Sequence, residues 1–92
     1  MRTRRPSHPG FVLQVAYMEP LDIKIVDLAD AVGVSRKHVS ALLHERASMT
    51  PAMAVRLAAA FKTTPELWLN LQRNYDLWEE AQAVPEVRCL VG

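Results

Sequence analysis

Residues 25–44 read IVDLADAVGVSRKHVSALLH, and this stretch decides the fold. Two short helical patterns meet in it at Gly33. Ala29, Gly33, Val39 and Leu42 stand where a helix-turn-helix requires a small residue, a turn residue and two inward apolar residues. A side chain larger than Ala29 at the crossing would force the axes apart and lose the packing of Leu28, Val32, Val39 and Leu42. Gly33 suits the position just past a helix end, where positive φ is common and a Cβ is a liability. Val34 then packs inward, and Ser35 can accept from a free amide at the start of the second helix.

On that second helix Val39, Leu42 and Leu43 share one face, while Arg36, Lys37, Ser40 and His44 point elsewhere at about 3.6 residues per turn. In a helix-turn-helix this element enters the major groove with its first turns near the base edges. Arg36 and Lys37 can donate to guanine or phosphate, and Ser40 can contact a base or the backbone. Ser35, His38 and His44 complete the candidate set on the helix, and Arg46 and Ser48 are candidates for backbone contact in the loop beyond it. The plain alternative for any one of these residues is a solvated position on an amphipathic helix.

A chain of 92 residues makes one domain, and half of its residues are apolar, enough for a compact core to which two tryptophans contribute heavily. The formal net charge of +1 argues against a surface that coats nucleic acid without regard to sequence. A DNA footprint has to be local, and within residues 33–48 Arg36, Lys37 and Arg46 face Glu45 as the sole acid, with His38 and His44 besides. Cys89 is the only cysteine, so an intrachain disulfide is impossible and a reducing cytoplasm fits. The N-terminal arginines at positions 2, 4 and 5 are not followed by the apolar run of a signal peptide, and no stretch approaches the roughly 20 apolar residues of a membrane span.

Residues 1–7 read as a flexible basic arm able to touch phosphates, residues 8–80 as the helix-turn-helix domain, and residues 81–92 as a tail. The first helix begins at Pro9, capped by Ser7 or His8, and Pro20 stops it near Met18 or Glu19. Val12, Leu13, Ala16 and Tyr17 form its core stripe at helical spacing, yet Phe11, Val15 and Met18 form a second apolar stripe round the side. The second stripe suggests contact with another chain, unless the arm or the tail folds over it. Lys24 stands where a capping Ser or Thr is expected, with Asp27 supplying negative charge in the first turn of the next helix. Thr50-Pro51 and Thr64-Pro65 each announce a further helix. Ala54, Leu57, Ala58 and Phe61 line the inside of the first of these, and Trp68 and Leu71 that of the last. Tyr75, Leu77 and Trp78 lie further out, where a dimer contact competes with core closure. The tail from Val84 onward is either without order or a short strand added to a partner.

Catalysis finds no support. His38 and His44 are six apart and face different directions, so they cannot form the i, i+4 chelate of a helical metal site. Cys89 has no histidine nearby in sequence, and the sequence offers neither a glycine-rich phosphate loop nor an acid pair with a pocket to hold it. The expectation is a non-enzyme with no catalytic residue, no metal and no cofactor.

The segments HPGFVL (8–13), EPL (19–21), LADAVGVSRKHVSALL (28–43) and TPAMAVRLAAAFKTTPELWLNLQRNYDLW (50–78) together resemble the HigA family of antitoxins. That family, also known as VapI-like, is a branch of the Xre-type, lambda-repressor-like helix-turn-helix proteins. The resemblance implies an all-α, five-helix domain that dimerises, binds a palindromic operator in double-stranded DNA, represses its own operon and binds a HigB-type ribonuclease toxin. Carried onto this sequence, Ser35, Arg36, Lys37 and Ser40 match recognition-helix positions, and Arg46 and Ser48 match loop positions near the backbone. The chain departs from the family where Phe11 and Val15 replace polar or acidic residues and Lys24-Ile25 replaces Ser-Gln. The second reading is therefore a toxin-sequestering interaction module that binds DNA weakly or without specificity. The stripe of Phe11, Val15 and Met18, with Tyr75, Leu77 and Trp78, is the candidate dimer or toxin contact.

Overall fold

The computed structural model describes residues 5–92; residues 1–4, most of the expected basic arm, lie outside the described residues. Helix α1 (Pro9–Val12) continues without a break as a π-helical segment (Leu13–Met18), followed by α2 (Ile25–Val32), α3 (Arg36–Leu43), α4 (Pro51–Phe61) and α5 (Pro65–Gln82). Helix is the only regular structure among the described residues, and residues 84–92 form an exposed extension of α5 without helix or strand.

Local chemistry explains where the helices begin. The His8 ring accepts at Nδ1 from the Gly10 amide at 2.9 Å, which settles the cap on His8 in place of Ser7. Ser35, Thr50 and Thr64 accept at their hydroxyls from the amides of His38, Met53 and Leu67 at 3.0, 3.2 and 3.2 Å. Lys24 has no side chain that can accept, so α2 is held from the other direction: the Asp27 carboxylate accepts from the Lys24 amide at 3.1 Å. Gly33 ends α2 at φ 71°, and its amide and that of Val34 both donate to the Ala29 carbonyl, at 2.9 and 3.1 Å.

The first helix corrects the expected stripes. Met18 is only 4 % exposed and belongs to the core, whereas Ala16 lies on the outside. Over residues 13–18 the hydrogen bonds run from i to i−5, as in the Glu19 amide to the Gln14 carbonyl (2.9 Å) and the Ile23 amide to the Met18 carbonyl (2.9 Å). This wider winding turns each residue through a smaller angle than an α-helix does, so Leu13 and Met18, five apart, share the inner face. A periodicity of 3.6 applied across the segment misplaces both Met18 and Ala16.

The core is built from Leu28, Ala29 and Val32 of α2, Val39 and Leu42 of α3, Met53, Ala54 and Leu57 of α4, and Trp68 of α5, with Leu13 and Met18 closing one side. Trp68 is fully buried, its indole N–H donates to the Thr63 hydroxyl at 2.8 Å, and Tyr17 stacks obliquely on it and on Phe61 at centroid separations of 5.3 and 5.1 Å. Buried Gln72 accepts from the Met49 amide at 2.6 Å and donates to Asp76 at 2.9 Å, which fastens the loop after α3 to α5.

One close approach seats the first helix. A Cβ built on Gly10 would stand 1.9 Å from the carbonyl oxygen of Leu42, so α1 meets the end of α3 backbone to backbone. Gly10→Ala must therefore push α1 off α3, and we expect a loss of about 3 kcal/mol, or a fall in Tm of roughly 10–20 °C in thermal melts followed by circular dichroism. A melt within about 3 °C of the parent would contradict the contact.

Candidate nucleic-acid interface

Helix α3 owes its orientation to the two apolar residues Val39 and Leu42, which are wholly buried and turn the opposite face outward. Arg36 and Lys37 stand exposed in its first turn, with His38 and Ser40 half-buried beside them. The Ser35 hydroxyl caps the helix by accepting from His38, which leaves its own proton as the only donor it can offer outward.

At the other end of α3, the His44 ring nitrogen Nδ1 lies 2.8 Å from the Ser40 carbonyl and 3.4 Å from the Ser40 hydroxyl. A carbonyl only accepts, so this bond places a proton on Nδ1. In the neutral ring Nε2 is then an acceptor, suited to the exocyclic amines of adenine or cytosine, and it becomes a donor only on protonation. Glu45 adopts φ 59°, and the Arg46 amide donates to the Ala41 carbonyl at 2.8 Å, so the chain turns away sharply and leaves Arg46 and Ser48 exposed. The eight residues from Ser35 to Ser48 singled out in the sequence thus lie along one helix and the turn that follows it.

The other candidate surface divides. Phe11 and Val15 are 49 % and 42 % exposed and remain together on the outer face of the first helix, while Met18 leaves the set for the core. Leu77 is 62 % exposed. Tyr75 and Trp78 are half-buried against neighbours in the same chain. The Arg5 guanidinium donates to the Tyr75 hydroxyl at 2.6 Å and lies 5.2 Å above the Tyr75 ring and 5.9 Å above that of Trp78. The same group stands 3.5 Å from Glu45, so the first described residue of the arm bridges α5 to the turn after α3. His8 packs edge-on against Tyr75 at 4.9 Å, and burial pushes its pKa below the ordinary value against the opposing pull of Glu45 and Asp76. The lowered pKa agrees with the cap, which needs an unprotonated Nδ1.

Sequence reasoning missed Gly10, whose missing Cβ admits the Leu42 carbonyl, Gln72, which accepts from the Met49 amide, and Arg56, which donates to the Val32 carbonyl. Each acts across a long stretch of chain on a backbone group, and no local pattern marks such a contact. Among the described residues no three His, Cys, Asp or Glu side chains come together in a way that could hold a metal ion. No helix among them is long and apolar enough to cross a membrane.

The comparisons with known proteins agree with this geometry. A helix-turn-helix family model matches residues 16–68. An uncharacterised HTH-type transcriptional regulator of Escherichia coli K12, YbaQ, is 51 % identical over 77 residues, 84 % of this chain and 68 % of the relative. Antitoxin HigA-1 of Vibrio cholerae is 45 % identical over 76 residues, 83 % of this chain and 71 % of the relative. The solved structure of the antitoxin GraA in complex with its operator superposes with a TM-score of 0.88, at 35 % identity over 100 % of this chain and 98 % of that one. The chain belongs to the Xre-like helix-turn-helix family, within the group that holds the HigA antitoxins.

Arg36 is exposed and, among the described residues, its side chain makes no hydrogen bond or ion pair, so Arg36→Ala should leave the melting curve unchanged. If Arg36 reads a guanine, the substitution costs about 1–3 kcal/mol of operator binding and relaxes preference at one base pair, measured by titration against single-base operator variants. An equal loss on every sequence would make it a phosphate contact instead, and no loss would remove it from the interface.

Proposed function

We propose that the chain is a DNA-binding antitoxin that represses its own operon, with α3 as the helix that reads the operator. The observation that carries this reading is the single outward face formed by Arg36, Lys37 and Ser40, continued by the exposed Arg46 and Ser48. Donors suited to guanine and phosphate stand in the first turn, where a recognition helix approaches base edges, and further donors stand in the loop that borders the groove. The operator-bound state of GraA and the antitoxin naming of HigA-1 support the same role.

The partners follow from this reading. The protein acts as a homodimer on a palindromic site in the cytoplasm, its two copies of α3 about one helical turn of DNA, roughly 34 Å, apart. A HigB-type ribonuclease toxin is its second partner. The exposed pair Phe11 and Val15 on the first helix is the surface offered to a protein, either the toxin or the second copy, with Leu77 on α5 a further candidate. The same exposed pair favours a second reading, in which toxin sequestration is the main task and DNA binding is weak.

Titration of a labelled duplex taken from upstream of the gene, beside a scrambled duplex, at about 150 mM salt separates the two. Affinity for the native duplex roughly a thousandfold or more above the scrambled one is the expected result. Equal and weak binding to both would overturn the repressor and leave the interaction module. For the protein-facing surface, Phe11→Glu combined with Val15→Glu should leave the melt intact and abolish association with the toxin or with a second copy, read by sedimentation and co-purification. Unchanged association with both would remove this surface from the account.

A further inference from the structure

Helix α4 sends one long polar side chain into the helix-turn-helix itself. The Arg56 guanidinium donates to the Val32 carbonyl at 2.5 Å, across 24 positions of sequence. Val32 is the last residue of α2, where unpaired carbonyls carry partial negative charge that a cation complements. The Ala29 carbonyl is already taken by Gly33 and Val34, so the end of α2 is completed partly from within the turn and partly from α4. The same guanidinium lies over the turn: a Cβ on Gly33 would stand 3.1 Å from its Nη1. Beyond Arg56 an open cleft lined by Val34, Ser35, His38, Thr50 and Met53 separates the start of α3 from the start of α4. Arg56 is therefore a hydrogen-bonding link between α4 and the turn from which α3 departs.

We propose that Arg56 is a positioning residue for sequence-specific DNA recognition. By tying α4 to the end of α2 it fixes where the turn releases α3, and so where Arg36 and Lys37 stand relative to base edges, without touching DNA itself. The inference rests on the reading of α3 as the operator-reading helix. Base readout depends on paired hydrogen bonds of defined geometry, whereas attraction to phosphates survives a small displacement of the helix. Loss of Arg56 should therefore lower discrimination and leave the phosphate-driven part of binding in place.

The test compares the parent with Arg56→Met, which keeps an unbranched apolar stem but removes donor and charge, and Arg56→Lys, which keeps the charge and a single donor group. Affinities for the native upstream duplex and a scrambled duplex are measured over about 50–300 mM salt, with thermal melts alongside. R56M is expected to lower the ratio of native to scrambled affinity about tenfold, with the salt slope unchanged on both duplexes, and R56K to recover part of the ratio. A slope shallower by about 0.9 per protomer in R56M would make Arg56 a phosphate contact and overturn the proposal. A ratio equal to the parent's would overturn it as well. If R56M does not fold, Arg56→Gln, with an uncharged donor, is read by the same ratio and slope. A parent without preference for the native duplex would overturn the DNA-reading role itself, whereas a parental preference that R56M leaves intact overturns this inference alone.

Discussion

An eight-residue helix does not hold together in water by itself, because isolated helices shorter than roughly 12–15 residues are marginal even with favourable sequences. Everything that α3 presents to solvent therefore depends on the burial of Val39 and Leu42 against α2, α1 and the rest of the core. Ser35 closes its first turn, and the Gly10 to Leu42 approach fixes its end. Arg36 and Lys37 stand exposed on its outward face, so their chemistry is free to serve a partner. Core-facing and outward-facing residues thus share one short element.

Periodicity and helix-end chemistry made much of the fold legible. Ala29, Gly33, Val39 and Leu42 stand at the specific spacing of a helix-turn-helix, and Thr50-Pro51 and Thr64-Pro65 mark two helix starts whose hydroxyl caps are present. The first helix was misread at Met18 and Ala16 because hydropathy patterns assume a fixed angle per residue, and the π-helical winding over residues 13–18 breaks that assumption. The contacts of Gln72 with Met49 and of Arg56 with Val32 were invisible for a different reason. Both join a side chain to a backbone group more than twenty residues away, and neither residue type announces such a partner.

The candidate contact residues were legible as chemistry, and their common placement along α3 and the following turn is what the fold adds. Tyr75 and Trp78 could not be assigned from spacing, since an aromatic pair on the far half of a helix suits a core and a dimer seam equally. Arg5 takes up part of both rings within the same chain, while Phe11, Val15 and Leu77 stay uncovered by it. Exposed apolar surface therefore lies on the first helix and on α5, elements other than the one that carries Arg36 and Lys37.

The most direct measurement of the central claim is a backbone amide spectrum recorded by NMR during titration with the upstream duplex. If α3 reads DNA, the largest shift changes fall on residues 35–48, with little change around Leu77. Changes centred on the first helix or on α5, with the amides of α3 unmoved, would contradict the account.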